Sequence, residues 1–180
     1  ARQQLLNQRP LPIREGLKTI IYTAHSEICC PTTPSFNGRH ALVSERAKVR
    51  AKAGLLDTSV VVDLESLSPE DLPEQIAISA VTLAELAAGP VSTTDPAERA
   101  RRQDRLQRAE AVFDPVPFGV EAARAYGRVA SAVVSAKRQP RKRFADLMIA
   151  AVAIAEGMPV VTRNPDDFRG LEDLVTVIAV

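Results

Sequence analysis

The sequence predicts an α/β protein with an open parallel sheet covered by helices on both faces. Three observations predict it. From residue 54 onward, apolar runs of strand length alternate with helical patterns, the order that builds βαβ units. The strand candidates are continuously apolar, as strands buried on both faces are. Finally, Leu147 to Ala155 contains no polar side chain, so a helix rich in Ala, Leu and Ile must be buried on most sides there.

The elements follow in order. Gly54-Leu-Leu-Asp57 reads as a buried strand ending in an acid, and Thr58 or Ser59 can cap a following helix. Ser68-Pro-Glu-Asp-Leu-Pro is loop, and Ile76–Ser79 is the next strand. Val81 to Ala88 is a short helix stopped by Gly89-Pro90. Asp95-Pro-Ala-Glu98 combines a capping acid, Pro at the first helical position and Glu three residues on, which starts a long helix to about Val112. Its polar face carries Arg99, Arg101, Arg102, Arg105 and Arg108, a solvated face or a docking surface. Pro115–Phe118 is a short extended piece, and Val120 to Lys137 an amphipathic helix. A helix over 144–156 ends at Gly157 in the C′ position. Strands over 158–162 and 175–180 close the pattern, with Asn164-Pro-Asp-Asp167 as a turn between them.

At 180 residues and 46% apolar content, the chain allows one domain with a substantial core and an appendage. No apolar run reaches the ~18 residues of a membrane span. Residues 1–48 are rich in turn formers and read as a basic extension, disordered or weakly docked. Translation starting near Val49 would make them foreign to the native protein. The adjacent Cys29 and Cys30 suit neither a disulfide staple nor a metal site, so a reducing, cytoplasmic setting is expected. The formal charge of +1 conceals an asymmetry: residues 1–50 carry eight Lys/Arg against three acids, residues 51–180 fifteen against nineteen. The domain from residue 54 onward is therefore mildly acidic, and attraction for an anion must come from local clusters.

Asp57 ends the first strand, Glu85 lies in the helix after the second, Asp146 opens the apolar helix, and Asp166 with Asp167 follows the strand at 158–162. Ligands of doubly wound sheets bind beyond the carboxyl ends of the strands, where these acids are expected. An acid in a first helical turn can simply favour the macrodipole, which alone would account for Asp146. Carboxylates gathered in one cleft repel one another, however, and a hard divalent cation such as Mg²⁺ resolves the repulsion. His25 and His40 both precede the domain, which argues against a zinc hydrolase or a His-based triad, and there is no Gly-rich phosphate loop.

Leu-Leu-Asp57-Thr-Ser, Val-Thr-Leu-Ala-Glu85-Leu, Phe-Ala-Asp146-Leu-Met-Ile-Ala-Ala and Val-Thr162-Arg-Asn-Pro-Asp-Asp-Phe168, in this order, resemble the PIN-domain family. Within it, the likeness is closest to the VapC-type ribonuclease toxins of type II toxin–antitoxin pairs. It spans residues 54–180. The resemblance implies an α/β/α sandwich and a Mg²⁺- or Mn²⁺-dependent endoribonuclease. It assigns catalytic roles to Asp57, Glu85 and Asp146, with Asp57 and Asp146 holding the metal. Many members carry an acid two residues after the Thr, where this chain has Asn164. The fourth role is therefore given to Asp166, with Asn164 and Asp167 as alternatives. Thr58, Ser59 and Thr162 would supply supporting hydroxyls.

The expected chemistry is hydrolysis by water, leaving 5′-phosphate and 3′-hydroxyl ends. Arg141, Lys142 and Arg143, in a run that begins at Lys137 and Arg138, together with Arg163, are candidate phosphate contacts; a merely solvated loop is the competing reading. The resemblance further implies a cognate antitoxin whose C-terminal segment blocks the site, and a homodimer within a larger complex, with no membrane. A receiver domain would need paired acids near the first strand, and a haloacid-dehalogenase phosphatase a second Asp where Ser59 stands. The alternative function is a non-catalytic PIN-like module that binds RNA or protein.

Overall fold

The computed structural model describes residues 51–139 and 143–180. The expectations for residues 1–48, including both cysteines and both histidines, and those for Arg141 and Lys142, fall outside the described residues. Four strands, β1 (Ala53–Leu56), β2 (Gln75–Ile78), β3 (Val160–Thr162) and β4 (Val177–Ala179), pair in parallel in the order β2-β1-β3-β4. The helices are α1 (Thr58–Val62), α2 (Ala80–Ala88), α3 (Pro96–Val112), α4 (Val120–Ser135) and α5 (Phe144–Glu156). Leu55 and Val160 point to the face covered by α4 and α5, whose Val129, Val133, Leu147 and Ile149 join them in one apolar cluster. Their neighbours Leu56, Val161 and Ile78 point the other way, into a cluster with Val60 of α1, Leu86 of α2 and Leu106 of α3. This period-two alternation on a sheet buried on both sides makes the α/β/α sandwich.

The register brings the carboxyl ends of the strands level, with Leu56 opposite both Ile78 and Val161, and Thr162 opposite Ala179. After β1 the chain moves outward to β2, then crosses back to place β3 on the other side of β1. The strand order therefore reverses between β1 and β3, and the crevice at such a switch is where open sheets bind ligands.

Local chemistry explains the boundaries. Asp95 accepts the Ala97 N–H at 3.0 Å and Pro96 opens α3. Glu98 does not complete a capping box; its carboxylate instead pairs with Arg101 and Arg102, each at 2.8 Å. Gly157 ends α5 at φ 65°, and the Met158 N–H returns to the Ala153 carbonyl at 2.9 Å. The extended piece at 115–118 yields only a single parallel bridge, Val116 to Ser79, because Pro115 and Pro117 lack N–H groups to extend it. The expected capping by Thr58 or Ser59 is also corrected: Asp57 occupies the cap position of α1, and both hydroxyl residues lie in its first turn.

Candidate active site

Asp57 leaves the end of β1 at the strand-order switch, with only 5% of its surface exposed. A carboxylate so buried needs donors. Its Oδ2 accepts the Ser59 hydroxyl at 2.7 Å and the Thr162 hydroxyl at 2.8 Å, which leaves Oδ1 outside both bonds. The same hydroxyls accept backbone amides from the segment after β3: Asn164 N–H donates to Thr162 Oγ1 at 3.0 Å and Arg163 N–H to Ser59 Oγ at 3.2 Å. Two amide–hydroxyl–carboxylate relays thus tie the end of β1 to the end of β3. Thr162 is fully buried, which leaves its hydroxyl little freedom to turn elsewhere.

Glu85 reaches the same region from α2, where its Oε2 accepts the Thr58 hydroxyl at 2.5 Å. Asp146 approaches from the first turn of α5. Burial, and after it the charges of Asp57, Asp167 and Glu85, together raise its pKa to about 7, while Arg143 opposes them. The helix N-terminus would by itself favour the ionised form, so dipole stabilisation does not explain this residue. Asp57, Asp167 and Glu85 all bear on Asp146, which draws the four acids around one cleft.

Asp166, expected as the fourth acid, does not join them. Its carboxylate is paired with Arg169 at 2.8 Å on a side chain 68% exposed. Asp167, one residue on, is the acid that bears on Asp146, and Asn164 is exposed. An i,i+3 Asp–Arg pair is visible in the sequence and could have flagged Asp166 as already neutralised. Among the candidate phosphate contacts, Arg163 is paired with Asp63. Arg143 donates to the Asp166 carbonyl at 2.6 Å and lies 3.6 Å from the Asp167 carboxylate.

Among the described residues, no three His, Cys, Asp or Glu side chains close into a ready ligand cage. Mg²⁺ does not need one, since it keeps several waters and takes one or two carboxylates together with substrate phosphates. The donors here are carboxylate oxygens that repel one another, which fits a hard divalent cation. Two surface grooves lie elsewhere, one lined by Pro90, Val91 and Pro96 and one by Arg128, Ser131 and Gly170; neither is lined by any of the four acids.

The model of the PIN-domain family matches residues 54–174, the stretch that holds every one of these acids. The chain belongs to the PIN-domain family. This PIN domain is 37% identical over 128 residues to Ribonuclease VapC5 of Mycobacterium tuberculosis, an alignment covering 69% of this chain and 92% of the relative. Ribonuclease VapC of Rickettsia bellii is 28% identical over 124 residues, covering 67% and 91%. Among solved structures, that of VapBC-5 from Mycobacterium tuberculosis, a member of the VapBC family of toxin–antitoxin systems, superimposes with a TM-score of 0.61 at 33% identity, covering 72% of this chain and 99% of that one. FitAcB from Neisseria gonorrhoeae follows with a TM-score of 0.53 at 26% identity, covering 69% and 95%. No helix among the described residues is long and apolar enough to cross a membrane.

Proposed function

We propose that this PIN domain is the toxin of a toxin–antitoxin pair, an endoribonuclease that hydrolyses RNA phosphodiester bonds in the cytoplasm with the aid of Mg²⁺ or Mn²⁺. The observation that carries the proposal is the convergence of Asp57, Glu85, Asp146 and Asp167 at the strand-order switch, on a chain whose relatives are named ribonucleases. Solved structures of toxin–antitoxin systems with the same fold support a cognate antitoxin as partner, and the proposal includes a homodimer within that complex.

Asp57 and Asp146 are the residues that would hold the cation, with Glu85 and Asp167 completing the acidic edge. A cation bound there supplies charge neutralisation and the Lewis acidity that makes water a nucleophile at neutral pH. The remaining work belongs to the chain. The Ser59 and Thr162 hydroxyls fix the Asp57 carboxylate in one orientation and leave Oδ1 for a ligand. Thr58 holds Glu85. Asp146, with its pKa near 7, can take up a proton at neutral pH when no cation is present, so proton and cation compete for it. Because the nucleophile is water, the RNA 2′-hydroxyl takes no part; water adds to phosphorus, the P–O3′ bond breaks and O3′ leaves with a proton, so products carry 5′-phosphate and 3′-hydroxyl ends.

Total bacterial RNA incubated with antitoxin-free protein and Mg²⁺ or Mn²⁺ should give discrete fragments with those ends. EDTA, or Asp146→Asn, should abolish them. Intact RNA from a folded protein would instead support the non-catalytic binding module.

A further inference from the structure

The run from Lys137 to Arg143 is basic, and its arginines invite assignment to RNA phosphates. Two of them are committed to the chain itself. Arg138 Nη1 donates to the carbonyls of Asp166 at 3.1 Å and Arg169 at 3.0 Å. Arg143 Nη1 donates to the same Asp166 carbonyl at 2.6 Å, and its Nη2 lies 3.6 Å from the Asp167 carboxylate. The short 3₁₀ turn Pro165–Phe168 that presents Asp167 is held within itself by Asp167 N–H to the Asn164 carbonyl at 3.0 Å and a long Arg169 N–H to Asp166 contact at 3.5 Å. Beyond that long contact, the Asp166 carbonyl accepts from the guanidinium groups of both Arg138 and Arg143.

The backbone is arranged to deliver Arg138 there. Lys137 ends α4 in the left-handed region at φ 57°, where side chains with a Cβ are uncommon. Its N–H bonds the Val134 carbonyl at 2.9 Å and the Arg138 N–H the Val133 carbonyl at 3.0 Å, the pair of bonds that reverses a chain at a helix end. At the far end of the turn, Gly170 (φ 88°) lies against the end of α4: a Cβ there would sit 3.1 Å from that of Ala136. Phe168, 1% exposed, anchors the same turn in the core.

We propose that Arg138 and Arg143 are positioning residues that grip the Pro165–Phe168 turn from both ends of the 138–143 connection and thereby hold the Asp167 carboxylate beside Asp146. The catalytic half of this inference rests on the ribonuclease reading; the clamp itself does not.

The test uses the full chain as wild type, Arg138→Ala, Arg138→Lys, Arg143→Ala, Asp167→Asn and the double variant Arg143→Ala/Asp167→Asn. Two readouts are taken: amide hydrogen exchange over residues 163–171, and RNA cleavage across a salt series. The clamp predicts that Arg138→Ala accelerates exchange in that segment roughly tenfold or more, while exchange in α5 and the melting profile stay close to wild type. It predicts a fall in kcat of about 10–100-fold with KM and salt slope unchanged, and partial recovery with Arg138→Lys, which can make one of the two bonds. Arg143→Ala should cost little once Asp167 is already replaced. Unchanged exchange in both arginine variants would overturn the proposal. So would a raised KM with a salt slope reduced by about one, the mark of a phosphate contact. Wild-type protein that cleaves no RNA while its turn is protected through Arg138 would leave the clamp standing and remove the ribonuclease reading.

Discussion

At the scale of single residues, Asp146 carries the tension of the site. Its pKa is raised from 3.8 to about 7, first by burial and then by Asp57, Asp167 and Glu85. Between those two values the folded protein keeps a proton that the unfolded chain has released. Stability therefore falls as pH rises through that window, and the penalty is complete above about pH 7. Asp146→Asn removes the penalty. In metal-free buffer at pH 8 the variant should melt higher than wild type by roughly 2–6 °C, allowing for solvent screening of a partly exposed group. The gain should vanish near pH 4. Melting curves at the two pH values check this, and a variant less stable at both would show that the acids do not repel one another. Adding millimolar Mg²⁺ should close the gap at pH 8 from the wild-type side.

At the scale of elements, most of the structure was legible because propensity, apolar pattern and stop signals agreed. The 144–156 helix is the clearest instance: an unbroken apolar run, a Gly at its end, and a left-handed C′ residue in the structure. A Cβ at Gly157 would meet nothing within 4 Å, so its requirement is purely of the backbone. Gly157→Ala should lower stability by about 1 kcal/mol and Gly157→Asn by less, since Asn tolerates that conformation. Denaturant titration decides between them, and equal losses would contradict a purely conformational cause. The segment at 115–118, read as a short extended piece, makes a single bridge because Pro115 and Pro117 lack the N–H groups that would lengthen the ladder. For the fourth acid the sequence points to Asp166, with Asn164 and Asp167 as alternatives, and goes no further. In a tight turn, adjacent residues diverge, and only tertiary packing, here buried Phe168 and the Arg169 pair, settles which of Asp166 and Asp167 faces the cleft.

At the scale of the whole molecule, the parallel order β2-β1-β3-β4 converts four distant sequence positions into one acidic edge. That convergence could be anticipated from strand ends alone, because the switch rule needs only topology. The family resemblance implies supporting hydroxyls at Thr58, Ser59 and Thr162. The meeting of Ser59 and Thr162 on one Asp57 oxygen was not legible, since they are 103 residues apart and meet only when β1 and β3 pair. Among the described residues, the two apolar clusters that clothe the sheet begin at Leu55. A chain beginning at Val49 should therefore fold cooperatively and keep whatever cleavage activity the full chain has, as melting and RNA assays would show; a truncated chain that fails to fold would place part of the stability in the first 48 residues.

The measurement that bears most directly on the site is a side-by-side rate of RNA cleavage by Asp166→Asn and Asp167→Asn at saturating Mg²⁺. Both carboxylates follow β3 and neighbour each other in sequence, but only Asp167 acts on Asp146. Asp167→Asn should lose roughly a hundredfold or more in kcat, while Asp166→Asn stays within a few-fold of wild type, its exposed pair with Arg169 contributing little. The opposite ranking would contradict the four-acid site described above.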